Sequence, residues 1–137
     1  MKHLFIDTNV VIDLLTQRQP FSALALNLFK SASEKQARLY VSALSCANIY
    51  YIIRRFKTRE EALQNLHEPQ DLVEIINVDG KIIGNAIASG FNDFEDAIQY
   101  HCALSNPSIE AIVTRNQKDF KKSTIPVLTV EEVLGNL

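Results

Sequence analysis

The chain has 137 residues, of which 22% are charged and 47% apolar, and its formal net charge is −2. These ordinary values exclude a disordered or fibrous chain, and the length fits a single domain, residues 1–137. No apolar run approaches the roughly 20 residues of a membrane span, and no signal-peptide pattern opens the sequence. The two cysteines lack the spacing of a zinc site. We therefore expect a cytoplasmic protein that does not enter a membrane.

The first predicted element is a buried strand at residues 4–6, an apolar run that ends at Asp7. Apolar residues then resume at helical spacing and predict a short helix over residues 10–15. Two interpretations of Asp7 remain open at this point. Its side chain can cap that helix, or it can lie at the carboxyl edge of a parallel sheet, where α/β proteins place their ligands and their chemistry.

Between residues 21 and 78 the sequence alternates between helical and strand patterns. Apolar residues at spacings of three and four predict helices, and short apolar runs predict strands. In chain order the predicted elements are helix 21–35, strand 39–41, helix 42–56, helix 58–67 and strand 73–78. Polar residues interrupt the last of these, which favours a place at the edge of the sheet.

The helix predicted over residues 42–56 ends in a basic cluster that contains Arg54 and Arg55. Cations near the C-terminus of a helix interact favourably with its dipole. Exposed basic side chains also serve as contacts for a phosphate backbone. The cluster is therefore either a helix-stabilising feature or part of an RNA-binding rim.

The rest of the chain continues the alternation. In chain order we predict helix 79–89, helix 92–105, strand 111–114, loop 115–124, strand 127–129 and helix 131–134. Asn92 is the expected cap of the second of these helices, with Glu95 three residues further on. Alternating helices and strands predict an α/β fold, a three-layer α/β/α sandwich around a mainly parallel sheet of about five strands.

In this topology, three separate segments bring carboxylates to one end of the sheet. Asp7 follows the first strand, Asp119 lies in the loop after strand 111–114, and Asp93 and Asp96 lie three residues apart at the start of a helix. Because like charges repel at short range, such a cluster usually requires a cation. Oxygen ligands without histidine or thiolate favour Mg²⁺ or Mn²⁺, and such a site suits the hydrolysis of phosphodiester bonds.

Four short segments follow one another in a characteristic order: FIDTNV at 5–10, VSAL at 41–44, DFEDA at 93–97 and VTRNQKDF at 113–120. Together they resemble the PIN-domain nucleases, particularly the VapC-type toxins of bacterial toxin–antitoxin pairs, over nearly the whole chain. The resemblance implies a PIN-like fold and a Mg²⁺- or Mn²⁺-dependent endoribonuclease that acts on RNA. It also implies a homodimer and a small antitoxin whose C-terminal segment fills the acidic groove.

The resemblance also implies which residues form the site. Its catalytic and metal-binding carboxylates correspond to Asp7, Asp96 and Asp119. Asn116 would be a further residue of the metal site, and Asn9 and Thr114 would orient the carboxylates through hydrogen bonds. The basic rim, where RNA would bind, would include Arg54, Arg55, Arg115 and Lys118.

Two departures from the family pattern bear on the metal. Asn48 stands where the family usually has a glutamate, and an amide is a weaker Mg²⁺ ligand than a carboxylate. Asn116 stands where many relatives have an aspartate directly after Thr-Arg. A pattern with asparagine there and an acid three residues later also resembles the family, which is why Asp119 is assigned to the site. Asp93 either replaces part of the missing charge or is a helix N-terminal acid favoured by the dipole.

Two other functions fit parts of the pattern. A PIN-fold module that lost its metal because of Asn48 would bind RNA or protein without catalysis. A phosphoacceptor receiver domain also places an aspartate after its first strand. The receiver is disfavoured because no paired acids stand at that strand end and no convincing lysine follows the last strand.

Overall fold

The computed structural model describes residues 1–137. In chain order its strands and helices are β1 (Lys2–Ile6), α1 (Thr8–Leu15), α2 (Phe21–Ser33), β2 (Ala37–Ser42), α3 (Ala43–Ile53), α4 (Arg59–His67), β3 (Val73–Ile76), α5 (Gly80–Ala88), α6 (Phe94–Leu104), β4 (Ala111–Val113), β5 (Val127–Leu128) and α7 (Val130–Leu134). Short 3₁₀ turns lie at Glu68–Asp71 and Gln117–Phe120. None of the helices combines the length and the apolar character that a bilayer span requires.

The five strands form one sheet in the order β3-β2-β1-β4-β5, and every neighbouring pair is parallel. The predicted α/β class is thereby confirmed, and β3 lies at the edge, as its polar residues predicted. All strands end at the same side of a parallel sheet. Because Ile6 of β1 is in register with Val113 of β4, the residues that follow these strands, Asp7 and Thr114, lie side by side.

The sheet separates two apolar clusters, which makes the three layers. Leu4 and Ile6 of β1 belong to one cluster, and Phe5 between them belongs to the other. This alternation follows from the two-residue period of a strand. Buried residues of α1, α2, α3, α4 and α7 complete the first cluster, and those of α5 and α6 complete the second.

The cap of α6 differs from the prediction. Asp93, not Asn92, is the N-cap, and its side chain accepts a hydrogen bond of 2.9 Å from the backbone N–H of Asp96. Asn and Asp both cap helices well, and each is followed three residues later by an acid, so the sequence fits two registers. In the observed register Glu95 is the second helical residue and takes no part in capping.

Other differences lie at helix ends. Helix α1 already begins at Thr8 because Asp7 caps it. Helix α2 ends at Ser33, two residues early, and Lys35 then adopts a positive φ of 61° that a helix cannot accommodate. Helix α3 ends at Ile53. Helix α5 ends just before Gly90, as predicted, because Gly90 adopts a φ of 73° that does not continue a helix.

Candidate active site

Asp7 lies between the end of β1 and the start of α1, so both interpretations of this residue hold. One carboxylate oxygen, Oδ1, caps the helix by accepting the backbone N–H of Thr8 at 2.8 Å. The other, Oδ2, accepts the hydroxyl of Thr114 at 2.8 Å and the amide of Asn9 at 3.3 Å. An ionised carboxylate can accept about four hydrogen bonds. Three are made, which leaves Asp7 accepting capacity for a ligand.

Asn9 and Thr114 connect Asp7 to the turn after β4. The side-chain oxygen Oδ1 of Asn9 accepts a hydrogen bond from the backbone N–H of Arg115 at 3.4 Å. The hydroxyl oxygen of Thr114 accepts one from the backbone N–H of Asn116 at 3.1 Å. The two residues predicted to orient the carboxylates thus both bind Asp7 and hold the adjacent turn. The side chain of Asn116 itself is exposed.

Asp96 and Asp119 face a cleft of about 260 Å³ next to the start of α6. Asp96 is in the first turn of α6, and Asp119 is in the 3₁₀ turn Gln117–Phe120. Buried Phe120 fixes that turn in the core. The cleft is lined by Phe91, Asn92, Asp93, Asp96, Lys118, Asp119, Lys121 and Lys122.

The carboxylates lie close enough to disturb one another's ionisation. Burial raises the pKa of Asp7, hydrogen bonds from Thr114 and Thr8 oppose the rise, and the charges of Glu95 and Asp119 add to it. The pKa of Asp96 rises to about 7, first through burial and then through repulsion by Asp93, Asp7, Asp119 and Glu95, in that order. The chain's three ion pairs, Lys2–Glu110, Arg38–Glu74 and Arg115–Asp13, all lie outside this group. The acids therefore repel one another without a directly paired protein cation.

The donor set fits a hard divalent ion. Besides three lysines, the side chains around the cleft offer carboxylate and amide oxygens, and no histidine or cysteine is among them. No group of three or more His, Cys, Asp or Glu side chains is close enough to enclose an ion. Mg²⁺ commonly keeps several waters and binds through only one or two carboxylates, so one or two of Asp7, Asp96 and Asp119 suit such an open site.

The two departures from the family pattern have definite places. Asp93 caps α6 through one carboxylate oxygen, which agrees with its interpretation as a helix N-terminal acid. It also lines the cleft, so its contribution to the metal site stays a prediction. Asn48 projects from α3 toward α6, where its amide donates a hydrogen bond of 2.8 Å to Oε1 of Glu95. Position 48 is therefore at the edge of the acidic group. Its amide contacts Glu95, which the sequence analysis considered only as a residue of the helix cap.

The predicted basic rim is divided between different parts of the molecule. Lys118 lines the cleft. Arg54 and Arg55 follow the 11-residue helix α3, about 16 Å from its start, and Arg54 donates to the backbone oxygen of Lys57 at 2.8 Å. Lys57 lies in the turn after the helix, so this contact does not separate the two interpretations of the cluster.

Arg115 pairs with buried Asp13 of α1 through two hydrogen bonds, Nε at 2.8 Å and Nη2 at 3.2 Å. The guanidinium group is also 4.7 Å from the centre of the Phe21 ring. These contacts tie the turn after β4 to α1 and α2. The predicted RNA contact of Arg115 stays a prediction.

A buried polar network beneath the acids was not anticipated. Gln99 of α6 is completely buried, and its amide donates to the hydroxyls of Thr8 at 3.1 Å and Ser45 at 2.8 Å. These two hydroxyls also bond each other at 2.7 Å. The network joins three helices: α1, which Asp7 caps, α3, which contains Asn48, and α6, which contains Asp96. The sequence did not reveal this network, because serine and threonine near the start of a helix usually indicate capping residues.

Comparison with known proteins gives the same picture. A PIN domain family model matches residues 3–118, whereas no curated protein matches the sequence. A toxin–antitoxin complex from Klebsiella pneumoniae contains a similar chain, with 25% identity, a TM-score of 0.64, and coverage of 93% of this chain and 97% of that one.

Two more solved structures share the fold at lower identity. VapBC2 from Rickettsia felis, bound to a promoter DNA fragment, has 16% identity and a TM-score of 0.69, covering 93% of this chain and 98% of that one. Mycobacterium tuberculosis VapC20, a toxin that cleaves the sarcin–ricin loop, has 13% identity and a TM-score of 0.63, covering 80% and 86%. With a family model that spans most of its length and a fold shared with VapC-type toxins, the chain belongs to the PIN domain family.

Proposed function

We propose that this protein is a Mg²⁺- or Mn²⁺-dependent endoribonuclease and the toxin of a toxin–antitoxin pair. The observation that carries the proposal is the position of Asp7, buried at the carboxyl edge of a PIN-fold sheet near other carboxylates, with only neutral hydrogen-bond donors as its partners. An uncompensated buried charge is costly, so the arrangement favours a bound cation. Cleavage of an RNA loop by the structurally similar VapC20 agrees with this activity.

In this function Asp7, Asp96 and Asp119 would surround the ion, with one or two of them binding it directly and the rest through its water molecules. When bound, Mg²⁺ or Mn²⁺ supplies positive charge at the scissile phosphate and makes a water molecule a better nucleophile. Thr114 and Asn9 keep the Asp7 carboxylate in one orientation through the hydrogen bonds to Oδ2. Around the cleft, Lys118, Lys121 and Lys122 are placed to attract the phosphates of the RNA.

A cleavage assay on labelled RNA tests the proposal. The wild-type protein should cleave in Mg²⁺ or Mn²⁺ and stop in EDTA. Asp7→Asn and Asp96→Asn should each lower the rate at least a hundredfold, about 2.7 kcal/mol of transition-state stabilisation. Asp71→Asn, at an exposed acid distant in sequence, is the control and should cleave normally. Undiminished cleavage in EDTA would refute the metal mechanism.

The partner we propose is a small antitoxin, in line with the toxin–antitoxin complexes among the similar structures. A groove between α1 and α3 includes Leu15, Ile52 and Phe56, together with the cations Arg18 and Lys57. Phe56 is 74% exposed, and exposed apolar patches mark interaction surfaces. An acidic amphipathic segment of the antitoxin would suit this groove. Phe56→Ser should weaken binding of the antitoxin, measured by calorimetric titration against the wild-type protein.

The homodimer stays a prediction. Sedimentation of the purified protein with and without its antitoxin tests it. A mass of one chain, 15.5 kDa, at micromolar concentration would refute a stable dimer. A mass of two chains would support it.

A second candidate function is RNA or protein binding without catalysis. Asn48 in place of a carboxylate, and the lack of a set of three ligands around one point, favour it. Calorimetric titration with Mn²⁺ separates the two candidates. Saturable binding that Asp7→Asn removes supports the nuclease, and no binding supports the non-catalytic module.

A further inference from the structure

Glu95 occupies a distinctive position between α3 and α6. Its Oε1 accepts the side-chain amide of Asn48 at 2.8 Å. A hydrogen bond from an amide to an ionised carboxylate is stronger than one between neutral groups. The contact fixes the direction of a side chain that would otherwise move freely on the first turn of α6.

The cap of α6 leaves Glu95 available for another role. With Asp93 as the cap, its carboxylate satisfies the backbone N–H of Asp96. Had Asn92 been the cap, Glu95 would be the third helical residue, whose carboxylate typically bonds back to the cap. In the observed register Glu95 makes its hydrogen bond to α3 instead.

The Glu95 carboxylate is electrostatically part of the acidic group. Besides burial, the negative charge of Glu95 raises the pKa of Asp7, more than the charge of Asp119 does, and it also raises the pKa of Asp96. No ion pair neutralises it, since the chain's ion pairs involve other acids.

The geometry places Glu95 beside this group. Gln99, one turn further along α6, bonds Thr8, the residue next to Asp7. It also bonds Ser45 on α3, one turn before Asn48. Glu95 therefore lies on the face of α6 that meets α3 and the chain next to Asp7.

We propose that Glu95 is a further carboxylate of the cation site and that Asn48 positions it. The inference rests on the proposed metal-dependent function and extends it to two residues. The acid that the family usually places on α3 would here come from α6, and α3 would supply the amide that holds it. A glutamate at position 48 beside Glu95 would repel it, so Asn48 is the suitable partner.

The alternative to this role is an exposed glutamate favoured only by the helix dipole. The chain offers a matched control for that alternative. Glu131 is the second helical residue of α7, as Glu95 is of α6, and both are exposed. Replacing either glutamate by glutamine removes one charge at the same helical position.

The test is calorimetric titration of the full chain with Mn²⁺ at pH 7.5. Glu95→Gln should weaken Mn²⁺ binding about tenfold, because the ion loses one negative partner. Asn48→Ala should weaken it by a similar factor, as the loss of residues that orient ligands does. The exchange Asn48→Glu with Glu95→Gln should recover affinity, since it returns one acid to the site. Glu131→Gln should bind as the wild type does.

The outcomes separate this inference from the proposed function. If Asp7→Asn abolishes Mn²⁺ binding while Glu95→Gln binds as tightly as Glu131→Gln, the cation site stands and the role of Glu95 is overturned. If the wild type binds no Mn²⁺, both fail. If the single variants weaken binding and the exchange restores it, the position of the acid on α6 is established. Circular dichroism of each variant verifies that a lost affinity is not lost folding.

Discussion

Two buried aspartates, the N-cap Asp7 and Asp13 within the helix, belong to α1, and their surroundings differ in charge. Asp7 is 8% exposed and Asp13 is 2% exposed. Both bind consecutive residues after β4, Asp7 the hydroxyl of Thr114 and Asp13 the guanidinium of Arg115. Asp13 thus has a cation from the chain, whereas Asp7 has only neutral donors. The difference indicates that Asp13 stabilises the structure and that Asp7 is left for a cation from solution.

The largest expected effect is on the Asp13 side of the comparison. Arg115→Met leaves the Asp13 carboxylate buried and unpaired, so the free energy of unfolding should fall by about 3 kcal/mol. Urea unfolding at pH 7 in EDTA measures it. Adding Asp13→Leu to this variant should restore most of the loss, because the pair is then replaced by apolar groups. A loss below about 0.5 kcal/mol for the single variant would mean that the ion pair does not hold the loop.

In the absence of metal, replacing Asp13 and Asp7 by asparagine should change the free energy of unfolding in opposite directions. Asp13→Asn should lower the free energy of unfolding by about 2 kcal/mol, since Arg115 loses its partner. Asp7→Asn should raise it by about 1 kcal/mol, because it removes an unpaired buried charge and asparagine still caps a helix. The same urea experiments at pH 8 compare them. If both variants lose stability equally, Asp7 is a structural residue like Asp13.

The pH dependence of the metal-free protein sharpens the contrast. The pKa of Asp96 is about 7, above its ordinary value of 3.8, so the folded state binds more protons than the unfolded state between these values. The stability that Asp96 contributes should therefore be fully present below about pH 3.8 and be lost as the pH rises through 7, by about 1 kcal/mol because Asp96 is partly exposed. Urea midpoints from pH 5 to 8 in EDTA measure this fall. Asp96→Asn should flatten the curve; an unchanged slope would contradict the repulsion.

The smallest effect concerns the cleft lysines. Lys118 lines the cleft but makes no ion pair, so Lys118→Ala should change stability by less than about 0.5 kcal/mol. It should instead lower RNA affinity and reduce the slope of log affinity against log salt by about one. Filter binding to RNA in Ca²⁺ at several salt concentrations measures the slope, with exposed Lys30→Ala as the control. An equal slope for both variants would remove Lys118 from the RNA surface.

The sequence predicted the fold well because its signals are local. Apolar runs such as residues 4–6 and the helical spacing of residues 21–35 depend on near neighbours, and their alternation was enough for the α/β class. The register of α6 was missed because Asn92 and Asp93 are equally good caps. The choice between them depends on packing against the rest of the domain.

Residues that act across long separations were hardest to predict. Asp13 and Arg115 are 102 positions apart, and nothing near either residue indicates the pair, so the sequence suggested only an RNA contact for Arg115, which stays a prediction. Gln99 reaches Thr8 across 91 positions, and an interior glutamine in a helix resembles a surface residue in sequence. Asp7 could be anticipated because its position after a strand is itself a local signal.

Anomalous diffraction from crystals soaked in Mn²⁺ tests the central claim most directly, that Asp7 is left for a cation that the chain does not supply. The account predicts a manganese peak within about 2.0–2.6 Å of a carboxylate oxygen of Asp7 or Asp96, and no peak in crystals of Asp7→Asn. Manganese bound only elsewhere, or a peak that persists unchanged in the variant, would contradict it.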